Sequence, residues 1–112
     1  MTTMEPAATD APVVTDNPSA SRYELRVGAG LAGLVEYKLG HNDTVISLLH
    51  TEVDDAFQGQ GLAGQLARYS LDDARKRGLS VLPFCPYLNS WVKKHPEYAD
   101  LIPPERRGDF GL

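Results

Sequence analysis

Three segments in the first half of the chain show the alternation of apolar and polar positions that is typical of β-strands. Residues 22–27 place three apolar side chains on one face and three charged ones on the other, as in a half-buried strand. Residues 31–39 resume this period of two after a glycine-rich turn. Residues 44–53 follow a second turn and are apolar on both parities. The pattern predicts an antiparallel three-strand meander whose third strand is innermost and covered on both faces.

The apolar period changes in the second half of the chain. An apolar stripe at helical spacing comprises Leu62, Ala63, Leu66, Ala67, Leu71 and Ala74. It predicts an amphipathic helix that packs on the sheet, and Gly78 is a suitable stop signal. Residues 79–84 predict a short strand parallel to residues 44–53, and residues 88–95 predict a second, shorter helix. The fold class is therefore α+β, with a mixed sheet in which the antiparallel meander is followed by a strand–helix–strand crossover and a short C-terminal helix.

The two ends of the chain differ in composition from the middle. Residues 1–20 contain no Lys, Arg or aromatic residue and little that could be buried, so we expect a disordered tail that is not a secretory signal. Residues 21–112 then form one domain. Within it, the proline- and arginine-containing residues 103–112 are expected to be loosely held.

Charge and cysteine content exclude several classes of function. A net charge of −4 argues against a general nucleic-acid binder, which needs a basic face. The single cysteine, Cys85, excludes an intrachain disulfide, and one Cys with three scattered His matches no metal-ligand spacing. No apolar run approaches the ~20 residues that cross a bilayer. We expect a cytoplasmic protein without a metal, and neither membrane nor nucleic acid as a partner.

A glycine-rich junction separates the third strand from the long helix. The N–H groups of a first helical turn have no intrahelical acceptor, and Gly59 and Gly61 remove the Cβ atoms that would keep an anion away from them. The junction predicts a diphosphate site, although a tight glycine-rich turn without a ligand is also consistent with it. Together with Gly64 these glycines fit the string GxGxxG. A dinucleotide fold is nevertheless disfavoured, because the chain is too short for a second βαβ half.

The same junction resembles a known motif. Residues 58–63 spell QxxGxA, which is similar to the diphosphate-binding motif of the GNAT superfamily of N-acetyltransferases. Further blocks resemble the minimal single-domain branch of that superfamily, and in chain order they are HTEV at 50–53, GQGLAGQL at 59–66, PFCPY at 83–87 and KHPEY at 94–98. The likeness extends over residues 23–102. It implies an N-acetyltransferase that uses acetyl-CoA as co-substrate and an amine, of a protein or peptide, as acceptor.

The resemblance also implies how CoA binds. The strands ending at Val53 and near Cys85 would splay apart, and pantetheine would pair with backbone groups of Thr51, Glu52 and Val53. The residues implied to bind the diphosphate through their N–H groups are Gln58, Gly59, Gln60, Gly61, Leu62 and Ala63. Gln58 stands where the motif often has Arg, so binding would depend more on backbone dipoles. Lys93 and Lys94 could contact the 3′-phosphate or simply form a solvated helix face.

Acetyl transfer to an amine needs a proton acceptor and protonation of the leaving thiolate. Glu52 is the favoured general base, and His50 is a second candidate that shares its parity with Ile46 and Leu48. Cys85 is a candidate nucleophile for an acyl-cysteine route. Each also has a structural interpretation, as a solvated carboxylate, a buried histidine bonded to backbone and a small buried thiol. Tyr87 and Tyr98 are candidate proton donors, and Trp91 is expected in the core.

Two features of the acceptor side leave the function open. The N-terminal helices that wall this side in larger relatives are not evident, which predicts an open cleft or a site completed by a second subunit in a homodimer. The alternative function is a non-catalytic CoA- or acyl-CoA-binding module that acts through a partner protein.

Overall fold

The computed structural model describes residues 11–112, and these form a five-stranded mixed sheet with helices packed on one face. The strands, in their spatial order, are β1 (Val13–Asn17), β2 (Arg22–Val27), β3 (Gly30–Gly40), β4 (Val45–Val53) and β5 (Ser80–Pro83). Neighbours from β1 to β4 are antiparallel, whereas β4 and β5 are parallel. Helices α1 (Leu62–Lys76) and α2 (Pro86–Lys94) are followed by 3-10 segments at Pro96–Leu101 and Pro104–Phe110. The predicted α+β class and the parallel strand pair are confirmed.

Helix α1 forms because its apolar positions recur at helical spacing and its last turn carries Arg75 and Lys76, which suit the negative end of the helix dipole. Its buried side chains are Leu62, Leu66, Ala67, Ser70, Leu71 and Ala74. They pack against the face of the sheet that carries Tyr23, Leu25, Val35 and Ile46, all fully buried. Burial of apolar side chains contributes roughly 25 cal/mol per Å², so this interface is the main source of stability.

The segment before β2 corrects the predicted N-terminal tail. Residues 13–17 form β1, which pairs antiparallel with β2, so the expectation of disorder over residues 1–20 is wrong for these residues. The first ten residues of that predicted tail lie outside the described residues. β1 has little apolar periodicity in its sequence. Backbone pairing with β2 and hydrogen bonds of its polar side chains hold it in place instead. Asp16 accepts a hydrogen bond from the Tyr37 hydroxyl at 2.6 Å, and Asn17 donates one to Glu24 at 3.0 Å.

The C-terminal residues correct a second expectation, because residues 103–112 are packed against the domain. The Phe110 ring lies 5.3 Å from the Phe84 ring between centroids, in an edge-to-face arrangement. The Phe110 carbonyl accepts a hydrogen bond from the Asn89 side chain at 2.9 Å. Arg107 donates to the Ile102 carbonyl at 3.0 Å, and Ile102 itself is fully buried. A few well-placed contacts thus hold a segment whose composition is that of a loop.

A β-bulge divides β4. Tyr37 of β3 pairs with Leu48, and its neighbour Glu36 pairs with His50, so Leu49 is the extra residue on β4. Leu49 is 44% exposed, although Leu48 beside it is fully buried. The prediction that β4 is covered on both faces is therefore wrong within the part of the chain that the structure describes.

The bulge also changes which side chains share a face beyond it. Before it, Ile46 and Leu48 face α1; after it, this side is taken by Val53, which packs against the core. His50 and Glu52 consequently project from the opposite face and are exposed. The expectation that these two residues share a face with Ile46 and Leu48 is wrong, because one inserted residue reverses the alternation.

Candidate functional site

The ladder between the parallel strands β4 and β5 ends at the bulge. Their ladder runs from Val45 opposite Ser80 to Leu48 opposite Pro83, and one more bond joins the Cys85 N–H to the Leu48 carbonyl at 2.8 Å. Beyond the bulge, residues 50–53 of β4 pair with β3 but not with β5. The N–H and C=O groups of residues 50–53 therefore have no ladder partner in β5, and we call the region between this part of β4 and Cys85 the slot.

The glycine-rich loop lies at the same end of β4 and leads into α1. Gly59 and Gly61 have φ angles of +80° and +73°, a left-handed conformation that L side chains rarely adopt. A Cβ built on either glycine would meet no atom within 4 Å. Gly61 is the N-cap residue of α1. Because glycine has no side chain, Gly61 does not cap the free N–H groups of the first turn. An exposed, uncapped helix start with room around it fits a phosphate group.

Gln58 connects this loop to the end of β4. Its side-chain amide donates a hydrogen bond to the Val53 carbonyl at 2.7 Å. The Asp54 carboxylate accepts from the Ala56 N–H at 2.9 Å, which fixes the turn between strand and loop. The Gln58 side chain is thus held by the strand, while the Val53 carbonyl, one of the groups implied to pair with pantetheine, already has a partner.

Cys85 lies where the slot begins. It is 3% exposed and immediately precedes α2, which starts with Pro86. Its sulfur is 3.3 Å from the Thr51 hydroxyl, and either atom can be the donor. This contact spans the two separating strands on the side that faces the helices. The expectation from the sequence concerned only the backbone of Thr51. The unused indication was that Thr51 shares its strand parity with Val53, which places both side chains on one face.

His50 and Glu52 form a pair on the opposite face of the sheet. The His50 Nε2 and Glu52 Oε2 atoms are 2.8 Å apart, and the two side chains are 51% and 62% exposed. The three residues predicted for catalysis therefore lie in two places, with Cys85 and Thr51 on the helix side of β4 and this pair on the open side. An imidazole bonded to a carboxylate has the composition of a proton acceptor.

The remaining aromatic candidates lie around α2, and His95 lies beside them. Trp91 is buried, as expected, and its ring stacks on His95 at 3.6 Å between centroids. The His95 Nδ1 atom is 2.8 Å from the Trp91 carbonyl, which is a structural role. The Tyr98 hydroxyl donates to Asp72 at 2.6 Å. Burial, and then the nearby Cys85 sulfur, raise the pKa of Tyr87 above its ordinary value of 10.0, so its hydroxyl is protonated at neutral pH.

Two further properties concern membranes and metals. In residues 11–112 no helix is both long enough and apolar enough to cross a bilayer. Over the same residues, no group of three or more His, Cys, Asp or Glu side chains could hold a metal ion.

Comparison with known proteins agrees with this architecture. A family model described as GCN5-related N-acetyl-transferase matches residues 22–101. The chain therefore belongs to the GCN5-related N-acetyl-transferase family. It is 36% identical over 62 residues to Protein NATD1 of Mus musculus and of Homo sapiens, covering 54% of this chain. The matched part is 56% of the mouse protein and 55% of the human one, so the chain spans about half the length of these curated relatives.

A solved structure shows the same fold. The NMR solution structure of a GCN5-like protein from Staphylococcus aureus superposes with a TM-score of 0.63, covering 81% of this chain and 87% of the other. The two sequences are 18% identical, so this likeness concerns the fold alone.

Proposed function

We propose that this protein is an N-acetyltransferase that transfers an acetyl group from acetyl-CoA to an amine of a protein or peptide. The observation that carries the proposal is that the bare helix start at Gly61 and the slot between β4 and β5 meet at one end of the sheet. The first suits a diphosphate and the second suits an extended chain that carries amide groups. Family membership supports the same ligand.

Acetyl-CoA would supply an activated acyl group as a thioester. The N–H groups of residues 58–63 would hold its diphosphate, with Gly59 and Gly61 allowing close approach. Backbone groups of residues 51–53 would direct the pantetheine arm toward Cys85. The Val53 carbonyl already accepts a hydrogen bond from the Gln58 side chain. It would therefore either release Gln58 in order to pair with pantetheine or take no part in binding it.

The acceptor amine must be neutral to attack, and the His50 and Glu52 pair would receive its proton. In this proposal the Glu52 carboxylate orients the imidazole or takes the proton through it. Both side chains are more than half exposed on the uncovered face of the sheet. An acceptor presented on a protein or peptide surface could reach such a pair, and a second copy of the chain could complete this side.

Cys85 supports an alternative route within the same function. Its thiolate would attack the acetyl carbonyl, the bond from that carbonyl to the CoA sulfur would break, and the acetyl group would pass from Cys85 to the amine. Thr51 would donate a hydrogen bond to the Cys85 sulfur. The burial of Cys85 equally suits a packing role.

The test is CoA release in the presence of a panel of amines, including peptides with a free N-terminus, peptides with lysine and small polyamines. We expect turnover with at least one peptide, and a fall of 10²-fold or more in Glu52→Gln, as is typical when a general base is removed. Glu105→Gln is the matched control, because Glu105 is an exposed carboxylate remote from the slot. Tight CoA binding without any turnover would instead support the CoA-binding module.

The two routes differ in a covalent product. If the cysteine route operates, intact mass should rise by one acetyl group when acetyl-CoA is added without an acceptor, and Cys85→Ala should abolish both the gain and the turnover. If Cys85→Ala retains turnover and no adduct forms, the amine attacks directly with His50 and Glu52 as proton acceptor.

A further inference from the structure

A polar atom of a buried side chain lies near the first turn of α1, and residues 11–112 supply no acceptor for it. Trp91 is only 8% exposed, and its indole Nε1 lies 3.7 Å from the position a Cβ would take on Gly64. Within residues 11–112 this N–H donates no hydrogen bond, although the Trp91 carbonyl and ring both have partners. A buried donor without an acceptor is costly, and a phenyl ring would fill the same space without that cost.

A second donor approaches the same point. The Tyr87 hydroxyl lies 3.9 Å from the same Cβ position on Gly64 and likewise makes no hydrogen bond to the described part of the chain. Tyr87 and Trp91 are four residues apart on α2, so their side chains project from the same face of that helix. Two side-chain donors therefore converge beside the N–H groups of the first turn of α1.

We propose that the Trp91 indole N–H and the Tyr87 hydroxyl extend the backbone cradle of the glycine-rich loop and donate hydrogen bonds to phosphoryl oxygens of the CoA diphosphate. This inference rests on the proposed function and names two further binding residues for it. The chemistry favours an anion, because an indole N–H can only donate and the neighbouring backbone groups at a helix start are also donors.

The charges around Trp91 agree with an anionic ligand. The Arg68 guanidinium carbon lies 5.3 Å from the centroid of the Trp91 ring, one helical turn beyond Gly64 on α1. Arg68 also donates a hydrogen bond to the Tyr98 hydroxyl, which in turn donates to the Asp72 carboxylate. The indole therefore stands next to a cation, which favours an anionic ligand at its N–H.

Gly64 keeps the space between these donors and α1 open. Gly is a poor helix former, and nothing in the φ angle of Gly64 requires it. An alanine methyl would lie at ordinary contact distance from both Nε1 and the Tyr87 oxygen, so the protein would tolerate it. A ligand atom approaching the two donors would compete with that methyl group.

The first experiment uses the fact that Trp91 is the only tryptophan. An NMR spectrum of the ¹⁵N-labelled full chain has one indole N–H signal, which reports directly on this atom. We expect it to shift on titration with CoA and with ADP, which contain a diphosphate, and to stay in place with pantetheine, which contains none. A shift with pantetheine and not with ADP would overturn the phosphate assignment.

The second experiment measures CoA affinity by calorimetry in Trp91→Phe, Tyr87→Phe and Gly64→Ala. We expect each to raise the Kd, by about tenfold for Trp91→Phe, since hydrogen bonds to charged groups are stronger than average. Gly64→Ala should weaken binding while leaving the Tm unchanged or higher, a combination that a loss of structure cannot produce. Gly108→Ala is the matched control, because a Cβ there meets nothing within 4 Å.

The outcomes separate this inference from the function on which it rests. If the wild-type chain is folded and does not bind CoA, the proposed function itself fails. If the wild type binds CoA and both Trp91→Phe and Gly64→Ala bind it equally well, only the role of Trp91 and Tyr87 is overturned.

Discussion

The two halves of β4 have different environments although they belong to one strand. Residues 45–48 pair with β3 on one side and β5 on the other, and Ile46 and Leu48 are fully buried. Residues 50–53 pair with β3 alone, and the His50 and Glu52 side chains are exposed. The bulge at Leu49 is the boundary between a half that stabilises the domain and a half that is available to a ligand.

The largest predicted effect comes from the first half. Leu48→Ala should reduce the free energy of unfolding by about 3 kcal/mol, because it removes a fully buried side chain and leaves a cavity. Leu49→Ala is its matched control and should cost under about 1 kcal/mol, because Leu49 is 44% exposed. Urea denaturation measures both. Equal losses in the two variants would mean that the bulge does not divide the strand energetically.

The second prediction tests how closely the second half of β4 packs on β3. A Cβ on Gly33 would lie 2.9 Å from the Glu52 carbonyl oxygen and 3.0 Å from Leu66 Cδ1. A backbone oxygen cannot move aside cheaply, so Gly33→Ala should destabilise the domain by about 2 kcal/mol. It should also displace Glu52 and reduce any acetyl transfer. The matched control is Gly40→Ala, where a Cβ meets nothing within 4 Å, and thermal unfolding distinguishes the two. A Tm in Gly33→Ala no lower than that of Gly40→Ala would contradict the close approach.

The third prediction places acid sensitivity on β2, away from the slot. A hydrogen bond from Arg22, then one from Asn17, lowers the pKa of Glu24 from its ordinary value of 4.5 to about 2. A lowered pKa means that Glu24 stabilises the fold above about pH 4.5 and loses this contribution as the pH falls toward 2. Glu24→Gln should therefore be less stable than wild type near neutral pH by roughly 1 kcal/mol, because the partners Arg22 and Arg26 are partly exposed and solvent screens the pairing.

The measurement for Glu24 is the urea midpoint of both proteins from neutral pH down to about pH 3. The gap between wild type and Glu24→Gln should narrow on acidification. A gap that is constant with pH would assign the loss to packing and contradict the charge-based account.

The smallest effect is predicted for Thr51→Val, which removes the hydroxyl that contacts the Cys85 sulfur. Stability should change by no more than about 0.5 kcal/mol, because hydrogen bonds to sulfur are weak and the shape is retained. The reaction of Cys85 with a thiol reagent should slow, because a hydroxyl donor stabilises the reacting thiolate. An unchanged rate would show that Thr51 does not donate to the sulfur.

Much of the fold could be predicted because it depends on local patterns. The alternation in residues 22–27 gives β2 its bounds, and the apolar stripe gives α1 its start at Leu62. β1 could not be found this way, because its contacts are a backbone ladder and polar pairs such as Asp16 with Tyr37. The packing of Phe110 on Phe84 likewise joins residues far apart in sequence.

The candidate site could also be predicted only in part. Because positive φ angles favour glycine, the loop at Gly59 and Gly61 could be located from the glycines in the sequence. The contact between Thr51 and Cys85 joins residues 34 positions apart and depends on where two strands separate. The face of the sheet on which Glu52 lies depends on which residue of β4 forms the bulge. The sequence around Leu48 and Leu49 does not show which of the two it is.

The extra residue at position 49 has a consequence for how this chain tolerates a change of length. Because Tyr37 pairs with Leu48 and Glu36 with His50, deleting Leu49 would close the bulge and leave both pairings as they are. The imidazole and the carboxylate would keep their outward direction, and Thr51 and Val53 would still face the helices. A chain shortened at this point would therefore separate the effect of the bulge on strand curvature from the placement of the side chains that follow it.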